Sequence, residues 1–360
     1  MSNGTLLVTG GAGFIGSNFI LNQITRGLNR IINLDALTYA GHLETLEAIM
    51  DHPDHDFVLG SIGDASLVAY LLERHQPDAI IHFAVESHVD RSIDAPEDFI
   101  QTNIVGTFQL LEATYRYWRN LSTAQKSKFR FVHISTDEVY GSTMGEQKVD
   151  ESSPYHPSSP YAASKASSNH LVHCYHITYG LPTLTINSTN NYGPRQYPEK
   201  LIPRTIYSAI KDQPIELYGD GQQLRNWIFV EDHCMAIECI ASQGTPGESY
   251  NVGGNSEKTN LEVVQRICDG LDRIHPKKTG RSYRELIQFV PDRPGHDLRY
   301  HVDMSKIHAL GWSPRKDFDS GLESTIHWYL ENTSWCATVL KDHYAGERLG
   351  LGFSRAKKTS

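Results

Sequence analysis

The sequence predicts an α/β protein: a doubly wound parallel sheet covered by helices on both faces, followed by a smaller mixed α/β lobe. Three observations carry this expectation. Over the first half, short apolar runs alternate with longer segments of helical period. A glycine-rich turn stands between the first run and the first helical stretch. After Asn190 the alternation gives way to crowded turn signals and shorter helical segments.

Taken in order, the apolar runs are Thr5–Thr9, Arg30–Leu34, Asp56–Leu59, Ala79–Phe83, Arg130–Ser135 and Thr183–Asn187. Strands of a parallel sheet are buried on both faces, so unbroken apolar runs suit them. Between the runs, Phe14, Phe19, Ile20 and Ile24 can share one helix face, as can Ile104, Phe108, Leu111 and Tyr115. A further helix is expected over Tyr161–Tyr179. Turn signals then recur at Tyr192-Gly193-Pro194, Gly219-Asp220-Gly221, Gly253-Gly254 and Arg293-Pro294-Gly295. Helices are predicted among them at Ile202–Lys211, Asp232–Ala241, Leu261–Leu271 and Gly321–Leu330. The expected division is 1–190, then a lobe at 191–346 able to return strands to the sheet, then a loose tail at 347–360.

Composition narrows the function. The chain has 360 residues, 39% hydrophobic and 21% charged, enough to bury a core. Its 33 basic residues against 42 acidic ones give a net charge of −9, which opposes binding to nucleic acid or an anionic membrane. No run approaches the about 18 apolar residues of a membrane-spanning helix. The opening MSNGTLLVTGGAGFIGSNF lacks the basic start of a signal peptide. Five cysteines (Cys174, Cys234, Cys239, Cys268 and Cys336) form no CxxC, which fits reduced thiols and a cytoplasmic location. The 18 histidines form no HExxH or Cys/His cluster at ligand spacing, so no metal site is expected.

Gly10-Gly11-Ala12-Gly13-Phe14-Ile15-Gly16 follows the first strand and opens the first helix. Gly10 allows the tight turn, Gly13 lets backbone approach a pyrophosphate, and Gly16 lets helix pack on strand. The helix N-terminus offers free N–H groups to the phosphates. Asp35 ends the next run, nineteen positions after Gly16. A carboxylate there bonds the ribose hydroxyls and repels a 2′-phosphate, favouring NAD over NADP. The sheet is thus of Rossmann type.

Two further constellations carry chemistry. Tyr161-Ala162-Ala163-Ser164-Lys165 places a phenol and an ammonium on one helix face. A phenol titrates near pH ~10; the Lys165 charge and a cationic nicotinamide would both lower that value, letting Tyr161 take a hydroxyl proton as hydride leaves the same carbon. Lys165 would also bond the nicotinamide ribose. Thr136-Asp137-Glu138 follows the strand ending near Ser135, where ligands of open α/β sheets bind. Two adjacent acids there can divide acid and base work if their environments separate their pKa values.

The GxxGxxG spacing and the YxxxK pair resemble the short-chain dehydrogenase/reductase superfamily. Longer segments sharpen this: LDALTYAGHL, AVESHVDRSID, HISTDEVYG, SSPYAASKASSNHLV, NNYGPRQYPEKLIP, YGDGQQLRNWIFVEDH and DRPGHDLRY resemble the dTDP-glucose 4,6-dehydratase family, nearly end to end. The resemblance implies a homodimeric lyase that keeps NAD bound. It oxidises C4 of a nucleotide-linked glucose, eliminates water across C5–C6 and returns hydride to C6. In that scheme Tyr161 takes the O4 proton, Thr136 bonds O4, Glu138 takes the C5 proton and Asp137 protonates the departing hydroxyl, with Lys165 assisting. By the same resemblance Phe14, Ile15, Asp35, Ala36, Leu37, Thr38, Ile62, Ala84, Glu86, Ser87, Thr102, Tyr161, Lys165 and Asn191 contact NAD. His88, Asn190, Lys200, Leu201, Tyr218, Arg225, Asn260, Arg293 and His296 contact the substrate, the two arginines suiting a diphosphate. The chain departs from the family at Ser61, Glu216 and Arg195-Gln196, which leaves the nucleotide base open. The alternatives are a dehydratase or 4-epimerase of another nucleotide sugar, and a non-catalytic NAD-binding regulator.

Overall fold

A computed structural model describes residues 4–143, 145–146, 148–341 and 349–350. Six strands of the first half form where the apolar runs predict them: β1 Gly4–Thr9, β2 Asn29–Asp35, β3 His55–Leu59, β4 Ala79–His82, β5 Arg130–Thr136 and β6 Thr183–Ser188. Then come β7 Asn190–Tyr192, β8 Ile215–Tyr218, β9 Leu224–Phe229, β10 Ser249–Val252, β11 Glu257–Thr259 and β12 Ile287–Val290.

One seven-stranded sheet runs in the order β10-β6-β5-β4-β1-β2-β3, and every neighbouring pair is parallel. Chain order reverses between β1 and β4, which opens a crevice at their carboxyl ends. The four β4 residues and the last six of β5 are all buried, as a sheet covered on both faces requires.

The helix Phe14–Thr25 buries Phe19, Ile20 and Ile24 against one face. The helix Pro160–Tyr179 starts with Ser159 accepting from Ala162 N–H and Pro160 at its first position, where a missing N–H costs nothing. Gly180, at φ +74°, ends it.

One expected face is corrected. Phe108 is 40% exposed, and the helix Thr107–Trp118 buries Thr107, Leu110, Leu111, Ala113 and Thr114 instead. Residues Ile100–Gly106 form a wide π turn ahead of it. Within the helix, Thr107, Leu110, Leu111 and Thr114 recur at three- and four-residue spacing and define the buried face, with Phe108 outside it.

The later half has its own core around Tyr192, Ile206, Trp227, Phe229, Ile267 and Tyr329. Two small sheets, β11-β9-β7 and β12-β8, belong to this half. It is nonetheless tied into the large sheet: β10 pairs with β6, and the helix Val230–Gln243 lies beside Phe14–Thr25, where Gln23 donates to Glu238 at 2.7 Å. The expected loose tail falls outside the described residues except for Leu349 and Gly350. Gly350 N–H donates to Asp94 at 2.8 Å, and Leu349 packs near Tyr197. Among the described residues no helix is long and apolar enough to cross a membrane.

Candidate active site

The crevice begins with the glycine turn. Gly10 sits at φ +73°, and a Cβ on it would stand 2.5 Å from Ala84 N. A Cβ on Gly16 would stand 2.3 Å from Gly10 O, so the helix can approach the strand only without one. A Cβ on Gly13, the residue before the helix, would meet only Gly10 O, at 3.4 Å, an ordinary contact. Asp35 ends β2 and accepts from Ala12 N–H and Leu37 N–H, both at 2.8 Å; burial raises its pKa and these two amides lower it.

All the expected cofactor contacts except Leu37 line one cavity of about 340 Å³. Leu37 has φ +50°, and its side chain packs against the sheet's core instead. Glu86 is placed by Asn103 of the π turn, which accepts from Glu86 N–H at 2.9 Å and donates to Glu86 O at 3.0 Å and to Ser164 Oγ at 2.8 Å. Burial pushes the Glu86 carboxyl up to about 7, against a hydrogen bond from Thr38.

Thr136 is the last residue of β5, and its Oγ1 accepts from Glu138 N–H at 3.2 Å, capping the short turn Asp137–Tyr140. Burial and then the neighbouring Glu138 push Asp137 up to about 8, so it holds its proton at neutrality. Burial raises Glu138 too, but Arg293, Arg225 and Lys200 all pull it down and favour the carboxylate. The two acids therefore differ in what surrounds them, the condition for dividing acid and base roles.

Tyr161 is buried edge-on to Phe99 and shares a hydrogen bond with Thr136. Its phenol is raised, by burial first and then by Glu138 and Asp137. This corrects the expectation that Lys165 would lower it. Lys165 Nζ instead donates to Ile134 O at 2.8 Å, and burial pulls this ammonium down to about 7.

On the substrate side, Thr136, Asp137, Glu138, Asn190 and Lys200 line the same cavity. Lys200 donates to Ser87 O at 2.8 Å. His88, Leu201, Tyr218, Arg225, Asn260, Arg293 and His296 do not line it, though Arg225 and Arg293 act on Glu138. Arg293 donates to Asp90 at 2.9 Å and Tyr218 OH donates to the other Asp90 oxygen at 3.0 Å. Arg225 is buried over the Tyr300 ring and donates to the Asp297 and Leu224 carbonyls. His296 meets Asp292 at 2.7 Å, Asp292 accepts from Gln223, and Gln223 reaches Asn260. His88 lies near Lys200, Arg91 and Arg293, and Leu201 opens the helix Leu201–Ile210.

Sequence reasoning missed Asp90 and Asn103, whose value comes from distant partners. Among the departures, Ser61 Oγ accepts from Gly63 N–H at 3.1 Å, Glu216 pairs with Arg204 at 2.8 Å, Gln196 donates to Asn191 O at 3.0 Å, and Arg195 lies over the Trp328 ring.

A dinucleotide cradle, a Tyr–Lys helix and an acid pair at one sheet edge define a nucleotide-sugar-modifying enzyme of the short-chain dehydrogenase type. The family described as GDP-mannose 4,6 dehydratase matches residues 7–325, and the chain belongs to it. Within that family the chain is 55% identical over 348 residues to the dTDP-glucose 4,6-dehydratase of Xanthomonas campestris, covering 96% of this chain and 99% of the relative. It is 50% identical to dTDP-glucose 4,6-dehydratase 1 of Escherichia coli K12, covering 94% and 96%. The dTDP-glucose 4,6-dehydratase of Streptomyces venezuelae, solved with NAD bound, superposes with a TM-score of 0.84 at 42% identity, covering 93% of this chain and 99% of that one. The UDP-glucose 4-epimerase of Thermotoga maritima, solved with UDP-glucose, has the same fold at a TM-score of 0.80 but only 26% identity, covering 91% and 99%.

Proposed function

We propose that the protein is a hydro-lyase that converts dTDP-glucose to dTDP-4-keto-6-deoxyglucose with NAD. The carrying observation is the unlike acid pair: Asp137 pushed up to about 8 beside Glu138 facing three cations, next to Thr136 and Tyr161. A 4-epimerase has no water to expel and no use for a buried protonated acid there.

NAD held by the residues lining this cleft would supply the acceptor for the C4 hydride and its donor to C6, and its oxidised ring would supply positive charge near the raised Tyr161 phenol. Every proton is handled by the chain. Tyr161 removes the O4 proton while Thr136 donates a hydrogen bond to O4. The 4-keto group acidifies C5–H, and Glu138 takes that proton. Asp137 protonates the C6 hydroxyl, which leaves as water. Glu138 returns a proton to C5 as C6 is reduced. Arg225 and Arg293 receive the diphosphate, Asp90 holding Arg293 in place.

All the cofactor contacts but Asn191 belong to residues 1–190, and the lobe at 191–346 supplies most of the nucleotide-sugar contacts. A second copy of the chain is the partner, supported by Phe108, Ile177 and Tyr179, 40%, 68% and 44% exposed on the helices Thr107–Trp118 and Pro160–Tyr179, with Ile100 of the π turn 52% exposed. The cytoplasm is the compartment, supported by five free cysteines.

The test is incubation with dTDP-glucose in heavy water without added reductant. The expected product is a 4-keto-6-deoxy sugar with deuterium at C5. A 4-epimer, or product only from another nucleotide sugar, refutes the assignment.

A further inference from the structure

Beneath the Tyr–Lys helix lies a buried polar row that the chemistry above does not use. Lys165 Nζ has three N–H donors. One goes to Ile134 O at 2.8 Å, and a second faces His133 Nε2 at 3.3 Å. His133 is fully buried on β5, beside His82 of β4 at 5.1 Å between ring centroids. His82 is occupied by two threonine hydroxyls, Thr9 at 2.8 Å and Thr107 at 3.1 Å.

The orientation of this row is set from its far end. Asn251 Nδ2 faces two carbonyls, Val149 O and Asp303 O, both at 3.3 Å, so its oxygen must accept from Tyr140 OH at 2.9 Å. Tyr140, having donated, accepts from Asn187 Nδ2 at 2.9 Å. Asn187 Oδ1 then accepts from Asn169 Nδ2 at 3.1 Å. That leaves Asn169 Oδ1 as a buried acceptor without a hydrogen-bond partner, and His133 Nδ1 likewise has none; the two side chains lie close enough for Asn169 to act on the imidazole. A His133 proton on Nδ1 would face the one acceptor left over in the row and would leave Nε2 a lone pair for Lys165. A proton on Nε2 would instead point at an ammonium. Ser168 Oγ lies 3.2 Å from Nε2 and donates to Lys165 O at 2.9 Å.

We propose that His133 is a positioning residue for Lys165: locked by the Asn169–Asn187–Tyr140–Asn251 row as the Nδ1–H tautomer, it accepts one ammonium hydrogen bond and leaves a single N–H aimed into the cofactor cavity. Lys165 lines that cavity. Every donor in the row points away from the lysine, so the bonds polarise one another in one direction. The titratable neighbours acting on His133 are Lys165 and His82, both from packed elements, and burial with Lys165 holds each imidazole neutral.

This inference rests on Lys165 serving the C4 oxidation proposed above, and two readouts separate the ideas. The first is the ¹⁵N-histidine spectrum of the cofactor-bound protein, with the His133 signals identified by their loss in His133→Gln. Expected is a neutral ring protonated at Nδ1 across about pH 6 to 8; a proton on Nε2, or an imidazolium, overturns the proposal whether or not the enzyme makes the expected product. The second is single-turnover C4 oxidation. His133→Leu, which fills the space without an acceptor, should slow it by about 10- to 100-fold with KM within about twofold. Losing an acceptor disfavours the ammonium, so the basic limb should also move to lower pH by about one unit. His133→Gln, which keeps an acceptor oxygen, should recover most of the rate and the limb. A His133→Leu rate equal to wild type, or Gln as impaired as Leu, sinks the idea; should Leu not fold, the tautomer and the Gln variant still decide it.

Discussion

The cofactor end and the substrate end of the crevice are built differently. At the cofactor end, backbone turns at strand ends set the shape: Gly10 against Ala84, Gly16 against Gly10, and Asp35 between two amides. At the substrate end, side chains hold side chains across long sequence distances, as Asp90 holds Arg293 and Tyr218. Shape at the first end follows from local residue order. At the second it follows from pairs that meet only after folding, so single substitutions there should split binding from fold.

The largest break falls where the ends meet. Tyr161→Phe should lower turnover by about 10²- to 10⁴-fold, as loss of a general base does; stopped-flow absorbance of the reduced nicotinamide should show C4 oxidation itself collapsing. Glu138→Gln should leave that signal and abolish deuterium exchange at C5.

Asp137→Asn should slow elimination by about 10²-fold, more than it slows oxidation. In the parent, elimination should fall as pH rises through about 8, because the acid loses its proton there. The same raised pKa gives a stability effect with a definite sign. A buried acid that keeps its proton above the unfolded value costs stability as pH rises toward 8. Asp137→Asn should therefore melt higher than the parent at alkaline pH, by about 2–4 °C; a lower melting point contradicts this reading.

Asp90→Asn sharpens the comparison at the substrate end. Arg293 loses its charge partner, and KM for the nucleotide sugar should rise by about tenfold, or about 1.4 kcal/mol, while NAD occupancy stays unchanged. Gly16→Ala does the reverse: it forces the helix off the strand, costs about 1–3 kcal/mol, and should appear as lost NAD and a lower melting temperature. If Gly16→Ala altered only KM for the sugar, the contrast between the ends would fail.

The same contrast explains what could be read in advance. Strand positions, the glycine turn, Asp35 and the Tyr–Lys helix are local signals, and the structure places them within a residue or two of expectation. The helix face through Phe108 misled because Phe108 stands at helical spacing from Leu111 just as Thr107 and Thr114 do, and spacing alone does not say which of these sets the buried face takes. Lys165 misled because its spacing to Tyr161 tells nothing of Ile134 O and His133, which compete for its ammonium. Leu37 follows the cofactor motif in sequence, yet its positive φ turns the side chain into the core. Asp90 was hidden because its partners lie more than a hundred positions away.

The return of β10 to β6 decides how the molecule can be taken apart. A fragment ending at Asn190 would leave β6 as a bare sheet margin and strip away the helix Val230–Gln243, which covers Phe14–Thr25. The nucleotide cradle therefore cannot be harvested as a free-standing module, and the later half contributes masonry to the very wall whose top edge it helps roof.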